Sequence, residues 1–194
     1  MKLLSASFDI VTSHLEPDHR DVSCSSYLVN MPRTFVLRNE ITVMAPLERC
    51  FLLSTNIEIV AQTLKMEPTM ARPSAFVQCG ARVQWHGWHL GFPQFHESLI
   101  EPFVPPVYFR DSMVAGRFAT YEHDHHFTGL DNGCVRLSDE VRFRMPLGWL
   151  GELIGKWVMV PHIYKLLRRR FALLKYLAES EEWREYLGPE AKIN

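Results

Sequence analysis

The stretch GRFATYEHDHHF, residues 116 to 127, is followed after one turn by LSDEVRFRMP, residues 137 to 146, and these two segments decide the fold. Successive side chains of a β-strand point to opposite faces, so a strand in the first segment groups imidazole and aromatic rings on one face. These residues are Tyr121, His123, His125 and Phe127. The same alternation in the second segment leaves the carboxylate of Asp139 among apolar neighbours. Two imidazoles and a carboxylate on apolar faces indicate a lined pocket rather than a plain core.

A hairpin joins these two segments, because Asp131-Asn132-Gly133 between them is a strong turn signal. The hairpin makes the two strands antiparallel neighbours. Other segments of the chain show strand character and are bounded by turn residues such as Gly91-Phe92-Pro93 and Pro105-Pro106. The predicted strands are Thr34–Val43, Ala81–Leu90, Phe95–Phe103, Val107–Val114, Phe118–Thr128 and Cys134–Arg144.

Helical patterns follow the first strand and close the chain. A helix opens at Ala45-Pro46-Leu47, where proline suits a first turn whose N–H groups lack partners, and Ser54-Thr55-Asn56 is expected to interrupt it. Apolar residues recur at helical spacing from Leu147 onward, and Pro161 is expected to kink this last helix or to divide it in two. A predominantly antiparallel sheet with helices on one face is an α+β arrangement.

Three consecutive arginines, Arg168-Arg169-Arg170, lie within the predicted C-terminal helix. We interpret the run as a solvated helix face, and contact with an acidic partner or a lipid headgroup is the alternative.

Length and composition suit one domain with a substantial core. The 194 residues are 47% hydrophobic and 22% charged, as in ordinary globular proteins. We expect an N-terminal extension over residues 1–32, partly disordered, a ligand-binding domain over residues 33–178, and a C-terminal tail over residues 179–194.

Charge and cysteine usage exclude several classes of protein. The formal net charge of −1 argues against general nucleic-acid binding, which needs a basic surface. Cys24, Cys50, Cys79 and Cys134 form no C-x-x-C pair, which excludes a zinc ribbon and a small disulfide scaffold. Free thiols predict a cytoplasmic protein. No uncharged run approaches the roughly 20 residues of a membrane span, so no stable membrane insertion is expected.

On these residues the chain resembles the SRPBCC superfamily, which includes START lipid-transfer domains, Bet v 1-like proteins and polyketide cyclase/dehydrase-like proteins. The resemblance extends over about residues 34 to 178, and an uncharacterised bacterial branch is the most similar. It rests on the helix start at residues 45–51 after the Ile41-Val43 strand, Val83-Gln84-Trp85, residues 106–113 with Gly116 and Phe118, the spaced His123, His125 and Phe127, and Asp139 with Pro146.

This resemblance implies a helix-grip fold, in which a strongly curved antiparallel sheet wraps around the long C-terminal helix with a cavity between them. Members of the superfamily bind or carry lipids, sterols, polyketides or plant hormones, and a minority catalyse cyclisation or dehydration. Because one fold hosts many functions, membership does not decide the activity.

Three interpretations fit His123, His125 and Asp139. In the first, Asp139 accepts a hydrogen bond from an imidazole across neighbouring strands, and the pair anchors a polar group of a ligand. In the second, the cluster only holds the strand register. In the third, His123 and Asp139 are a catalytic acid–base pair.

A metal site is a further alternative, since His-x-His presents two ligands on one strand face and Asp139, His86 or His89 could complete a set. No second His-x-His and no H-E-x-x-H motif supports it, so we predict no metal and no cofactor.

We therefore predict binding or carriage of a small hydrophobic ligand, lipid or polyketide-like, between the sheet and the C-terminal helix. The alternatives are a cyclase/dehydratase-type enzyme and a protein-interaction module. Asp111 is expected to be a second polar cavity residue or a partner of Arg117. The predicted ligand-binding residues are Trp85, Phe109, Asp111, Met113, Tyr121, His123, His125, Phe127 and Asp139.

Overall fold

The structure is a computed structural model that describes residues 33–70 and 74–188, so the predicted extension over residues 1–32 lies outside the described residues. In chain order the elements are β1 (Thr34–Val43), α1 (Leu47–Thr55), α2 (Ile57–Leu64), β2 (Met66–Met70), β3 (Arg82–His89), β4 (Phe92–Val104), β5 (Tyr108–Ala115), β6 (Thr120–Gly129), β7 (Val135–Arg144), α3 (Gly148–Ile154), a π-helical segment (Gly155–Met159), α4 (Val160–Glu179) and α5 (Trp183–Leu187).

Seven strands form one curved antiparallel sheet in the order β1-β7-β6-β5-β4-β3-β2. The predicted α+β helix-grip architecture is confirmed, because the sheet is accompanied by a long C-terminal helix. Register shifts between β4 and β5, at Glu97/Ser98 and at Ile100/Phe103, are irregularities that bend a strand and increase its twist. Among the described strands, sequence patterning missed only the edge strand β2, whose five residues include Pro68.

The predicted hairpin pairs β6 with β7 and sets the register of the candidate site. His125 lies directly opposite Asp139, and His123 lies opposite Val141. All four side chains therefore point to the same face of the sheet.

A break between α1 and α2 falls where the sequence predicts an interruption. Asn56 ends α1 and caps α2, because its side-chain oxygen accepts hydrogen bonds from the backbone N–H groups of Glu58 and Ile59. Pro46 lies one residue before α1, at its N-cap.

The C-terminal helix changes geometry before Pro161 rather than at it. The π-helical segment Gly155–Met159 joins α3 to α4, and Pro161 occupies the first turn of α4. A proline removes its own N–H and crowds the carbonyl four residues earlier, here that of Trp157, which lies within the π-helical segment. The predicted kink is therefore a local widening of the helix. None of the described helices is long and apolar enough to cross a membrane.

The main core lies between the sheet and the helices α1, α2 and α4. Phe51 of α1 packs edge-on against Phe109 and Phe127 of the sheet, with ring centroids 5.9 and 5.3 Å apart. Part of the predicted C-terminal tail contributes to this core, since Leu187 of α5 is buried in it.

On the outer face of the sheet, Asp124 points away from the cavity yet is only 3% exposed. It accepts hydrogen bonds from Arg110, Tyr108 and Arg142. Burial opposes ionisation, but these donors lower the pKa of Asp124 to about 2. This charged cluster ties together the three strands that carry the candidate site.

The turn into α3 depends on a glycine. A methyl group on Gly151 would lie 1.7 Å from the carbonyl oxygen of Pro146. Replacing glycine by alanine within a helix normally stabilises it by about 1 kcal/mol, but at this position the clash makes the same substitution destabilising. We expect Gly151→Ala to lower the free energy of unfolding by about 1–3 kcal/mol in urea denaturation. Gly129→Ala is the control, since nothing lies within 4 Å of its added methyl group. Equal stability of the two variants would contradict this packing.

Candidate functional site

A cavity of about 270 Å³ lies between the sheet and the C-terminal helix. Its walls are mostly apolar. They include Val83, Trp85, Ile100 and Phe109 from the sheet and Ile163, Leu166 and Leu167 from α4. Cavities of this kind, lined by apolar side chains with a few polar groups, are the usual form of small-molecule sites.

At one wall of the cavity, a buried carboxylate holds two imidazoles and a guanidinium. Nδ1 of His125 lies 2.9 Å from Oδ1 of Asp139, and Nε2 of His123 lies 3.3 Å from Oδ2. From α4, Nε of Arg170 lies 3.6 Å from the same Oδ2. All four side chains are buried. The expected contact between Asp139 and an imidazole of the neighbouring strand is therefore present.

The contact with Asp139 determines the tautomer of His125. Nδ1 carries the proton and donates it to Asp139, because an unprotonated nitrogen 2.9 Å from a carboxylate oxygen would be repelled. A terminal nitrogen of Arg170 is 3.5 Å from this Nδ1, too far to compete as its donor. Nε2 of His125 is consequently left as a hydrogen-bond acceptor.

Burial controls the protonation of this cluster. Burial, with His123 adding to it, lowers the pKa of His125 to about 3, so His125 is neutral at pH 7. Burial also opposes ionisation of Asp139, but His125 and His123 hold its pKa well below the usual range. Asp139 is therefore an anion whose charge is balanced by Arg170.

A second polar group lies along the same cavity. Oδ1 of Asp111 is buried and has no hydrogen-bond partner among the described residues. Near it, His96 packs edge-on against Tyr121, with ring centroids 5.4 Å apart. Burial, reinforced by Asp111, raises the pKa of Tyr121, so its hydroxyl stays neutral. Arg117, offered as a partner of Asp111, donates instead to the carbonyl of Pro93 at 2.8 Å.

Six of the nine predicted ligand-binding residues line the cavity: Trp85, Phe109, Asp111, Tyr121, His123 and His125. The other three lie outside the lining. Asp139 contacts the two histidines, Phe127 packs in the core against Phe51, and Met113 packs against Gly116.

Sequence reasoning missed Arg170 and His96. The sequence pattern predicts a solvated face for Arg168, Arg169 and Arg170, but Arg170 is only 6% exposed while its two neighbours are exposed. A signal for this was present, because Arg170 lies at helical spacing within the buried stripe of α4. The positions of that stripe are Ile163, Leu167, Arg170, Leu174 and Leu177.

The geometry of the cluster also bears on the metal alternative. Ligand atoms of His123, His125 and Asp139 lie within 4.8 Å of one another. The guanidinium of Arg170 contacts the same carboxylate, and a second cation there would be repelled by it. His86 packs against Phe95 and His89 against His162, so neither belongs to this group. The residues suit a hydrogen-bonded ion cluster better than a metal site.

No protein-family model matches the sequence, and no curated protein matches it. Solved structures do match. TTHA0849 from Thermus thermophilus is 20% identical with a TM-score of 0.58, over 72% of this chain and 96% of that one. A START superfamily protein from Mycobacterium smegmatis is 11% identical with a TM-score of 0.58, over 73% and 98%. The chain has an SRPBCC-like fold. Norcoclaurine synthase from Thalictrum flavum, solved with dopamine and hydroxybenzaldehyde, is 10% identical with a TM-score of 0.53, over 81% and 96%.

We expect the charge of Arg170 to be essential for stability. Arg170→Leu leaves the buried carboxylate of Asp139 without its balancing cation, so the free energy of unfolding should fall by about 3–5 kcal/mol in urea. Arg169→Leu, on the exposed face one residue earlier, should change it by less than about 0.5 kcal/mol. Similar losses in both variants would show that Asp139 does not depend on Arg170.

Acid should destabilise the protein through His125. The unfolded chain takes up a proton at this residue near its usual pKa of 6.5, whereas the folded protein resists protonation down to about pH 3. The contribution of neutral His125 to the free energy of unfolding is therefore fully present above about pH 6.5. It falls with acidification, by up to about 1.4 kcal/mol per pH unit for one group. His89, His96 and His162, whose pKa values are also lowered mainly by burial, act in the same direction.

Urea denaturation between about pH 6.5 and about pH 4.5 tests this before the carboxylates titrate. His125→Asn, which keeps a donor for Asp139, should reduce the slope of stability against pH. Thr128→Asn, on the opposite, exposed face of the same strand, should retain the wild-type slope. An unchanged slope in His125→Asn would refute this role of the imidazole.

Proposed function

We propose that the protein binds a small, mostly apolar ligand, lipid-like or polyketide-like, in the cavity between its sheet and α4. The apolar walls would hold the body of the ligand, and the polar wall would hold a hydroxyl or a similar group. The role is binding or carriage rather than catalysis.

One observation carries this proposal. Oδ1 of Asp111 is buried in the cavity and has no hydrogen-bond partner in the described part of the chain. A buried polar atom without a partner costs about 1–3 kcal/mol, so folded proteins rarely keep one without a use. Asp111, His123 and Arg170 also line the cavity. A ligand that donates a hydrogen bond to Asp111 would offset part of this cost.

The enzymatic alternative is less well supported by the same residues. A general base needs a free nitrogen and a pKa near the working pH. Nε2 of His123, the proposed base, already faces Oδ2 of Asp139 at 3.3 Å, and burial holds the pKa of the neighbouring His125 at about 3. Asp139, already in contact with both histidines and Arg170, is an equally poor proton acceptor. These features suit an anchor, which needs a fixed donor and acceptor pattern rather than a group that exchanges protons.

The proposed setting is the cytoplasm. The three cysteines in the described ranges, Cys50, Cys79 and Cys134, are all free, as expected in a reducing compartment.

Binding can be measured with N-phenyl-1-naphthylamine, a small apolar probe whose fluorescence rises in a dry site. We expect saturable binding to the wild-type protein and its loss in Leu166→Trp, because residue 166 lines the cavity and indole would fill it. Leu173→Trp is the matched control, two turns further along α4 and outside the lining. Equal binding by both variants would place the probe elsewhere.

Displacement of this probe by 2-naphthol and by 2-methylnaphthalene tests the polar anchor. A hydrogen bond to a carboxylate contributes about 1.5–3 kcal/mol, so the wild-type protein should prefer the naphthol by about ten- to hundredfold. Asp111→Ala should lose the preference and Asp131→Ala, in an exposed turn, should keep it. No preference in the wild-type protein would leave an apolar cavity without the anchor. Native mass spectrometry of the purified protein would then identify a copurifying ligand.

A further inference from the structure

Large apolar side chains are exposed at one end of the molecule. On α3 and the π-helical segment, Trp149 is 72% exposed, Leu153 51% and Trp157 67%. On the hairpin between β3 and β4, Trp88 is 70% and Phe92 65% exposed. Monomeric proteins seldom expose contiguous groups of large apolar residues unless the surface has a binding role.

The helix and the hairpin meet at the opening of the cavity. The rings of His89, on the hairpin, and His162, on α4, pack edge-on with centroids 5.1 Å apart. Both histidines line the cavity, as do the partly exposed Leu90 and Phe95. The exposed apolar residues therefore border the place where the cavity reaches the surface.

The exposed charged side chains around this surface are positively charged. From residue 147 to residue 169, the exposed charged side chains are all basic: Lys156, Lys165, Arg168 and Arg169. The one acidic residue in that span, Glu152, is half-buried and accepts a hydrogen bond from the backbone N–H of Arg33. None of the four cations forms an ion pair with a described residue. The hairpin, residues 83 to 96, has no acidic residue. In a chain of net charge −1, this is a local basic surface.

We propose that this face docks on a membrane surface that contains anionic lipid. Tryptophan favours the boundary between lipid headgroups and acyl chains, where its ring is apolar and its N–H stays wet. A helix with exposed apolar residues and flanking lysine and arginine lies in that plane, and each basic side chain near anionic lipid adds to the attraction. The docking is peripheral, and it goes beyond the proposed ligand binding.

The docked orientation of the protein would bring the cavity opening to the membrane. With Trp149, Trp157 and the β3–β4 hairpin in the headgroup layer, the cavity opening faces the bilayer. An apolar ligand could then enter or leave without crossing water; this last step rests on the proposed function, whereas the docking does not.

Sedimentation of the full chain with phospholipid vesicles tests the proposal. We expect binding to vesicles of equimolar phosphatidylcholine and phosphatidylglycerol, weakening as salt is raised, and little binding to phosphatidylcholine alone. Trp149→Ala with Trp157→Ala should weaken binding by about tenfold or more, since two apolar rings are removed from the interface. Lys165→Glu with Arg168→Glu should weaken it and flatten its dependence on salt.

Met44→Ser is the control for a general loss of surface hydrophobicity. Met44 is 74% exposed, and its backbone N–H donates to Glu179 at the far end of α4, about 30 Å from the start of that helix. This variant should bind like the wild-type protein. Thermal unfolding should be unchanged in all variants because the side chains are exposed.

Absence of binding to both vesicles would overturn the proposal, as would equal binding by the double tryptophan variant and Met44→Ser. A dimer in solution that dissociates when Trp149 and Trp157 are replaced would overturn it too, because the face would then be an interface between two copies of the chain.

Discussion

The buried, ionised carboxylate of Asp139 constrains how the β6–β7 hairpin and the C-terminal helix pack together. A buried anion costs several kcal/mol unless opposite charge and hydrogen-bond donors surround it. Here the donors come from two elements: His125 and His123 from the neighbouring strand, and Arg170 from the C-terminal helix. The contacts hold the hairpin in register and fix how α4 lies against it.

The same constraint shapes the cavity. Because Arg170 must reach the sheet, the long helix is tied to β6 and β7 at the polar wall, while apolar side chains such as Ile163 and Leu166 line the rest of the cavity. Asp111 shares this cavity without a partner among the described residues. A polar wall that is incompletely satisfied, facing an apolar cavity, is the arrangement that a ligand with one polar group would complete. The basic and aromatic face at the opening is a separate surface with chemistry of its own.

Much of the fold could be predicted because clear alternation of apolar and polar residues and a clear turn signal are each compatible with one local structure. Alternation over residues 118–128 and 134–144 yields two half-buried strands, and Asp131-Asn132-Gly133 makes them a hairpin. Strand β2 could not be predicted because its five residues include a proline and show no alternation of apolar and polar side chains. It lies at the edge of the sheet and pairs with β3. Part of the candidate site was also predictable, since strand alternation puts His123 and His125 on one face of β6 and Asp139 among apolar side chains of β7; the register that brings them together came from the structure.

By itself the sequence determined the order of the strands along the chain, the antiparallel hairpin of β6 and β7, and the strand faces that carry the imidazoles and the carboxylate, because these depend on neighbours close in the chain. Only the tertiary structure decided that Arg170 balances Asp139, that Arg117 bonds to Pro93 rather than to Asp111, and that Phe127 and Met113 lie outside the cavity. These contacts join residues from separate elements, for example 31 positions apart for Asp139 and Arg170. They depend on how the helix packs across the sheet, which local periodicity does not specify.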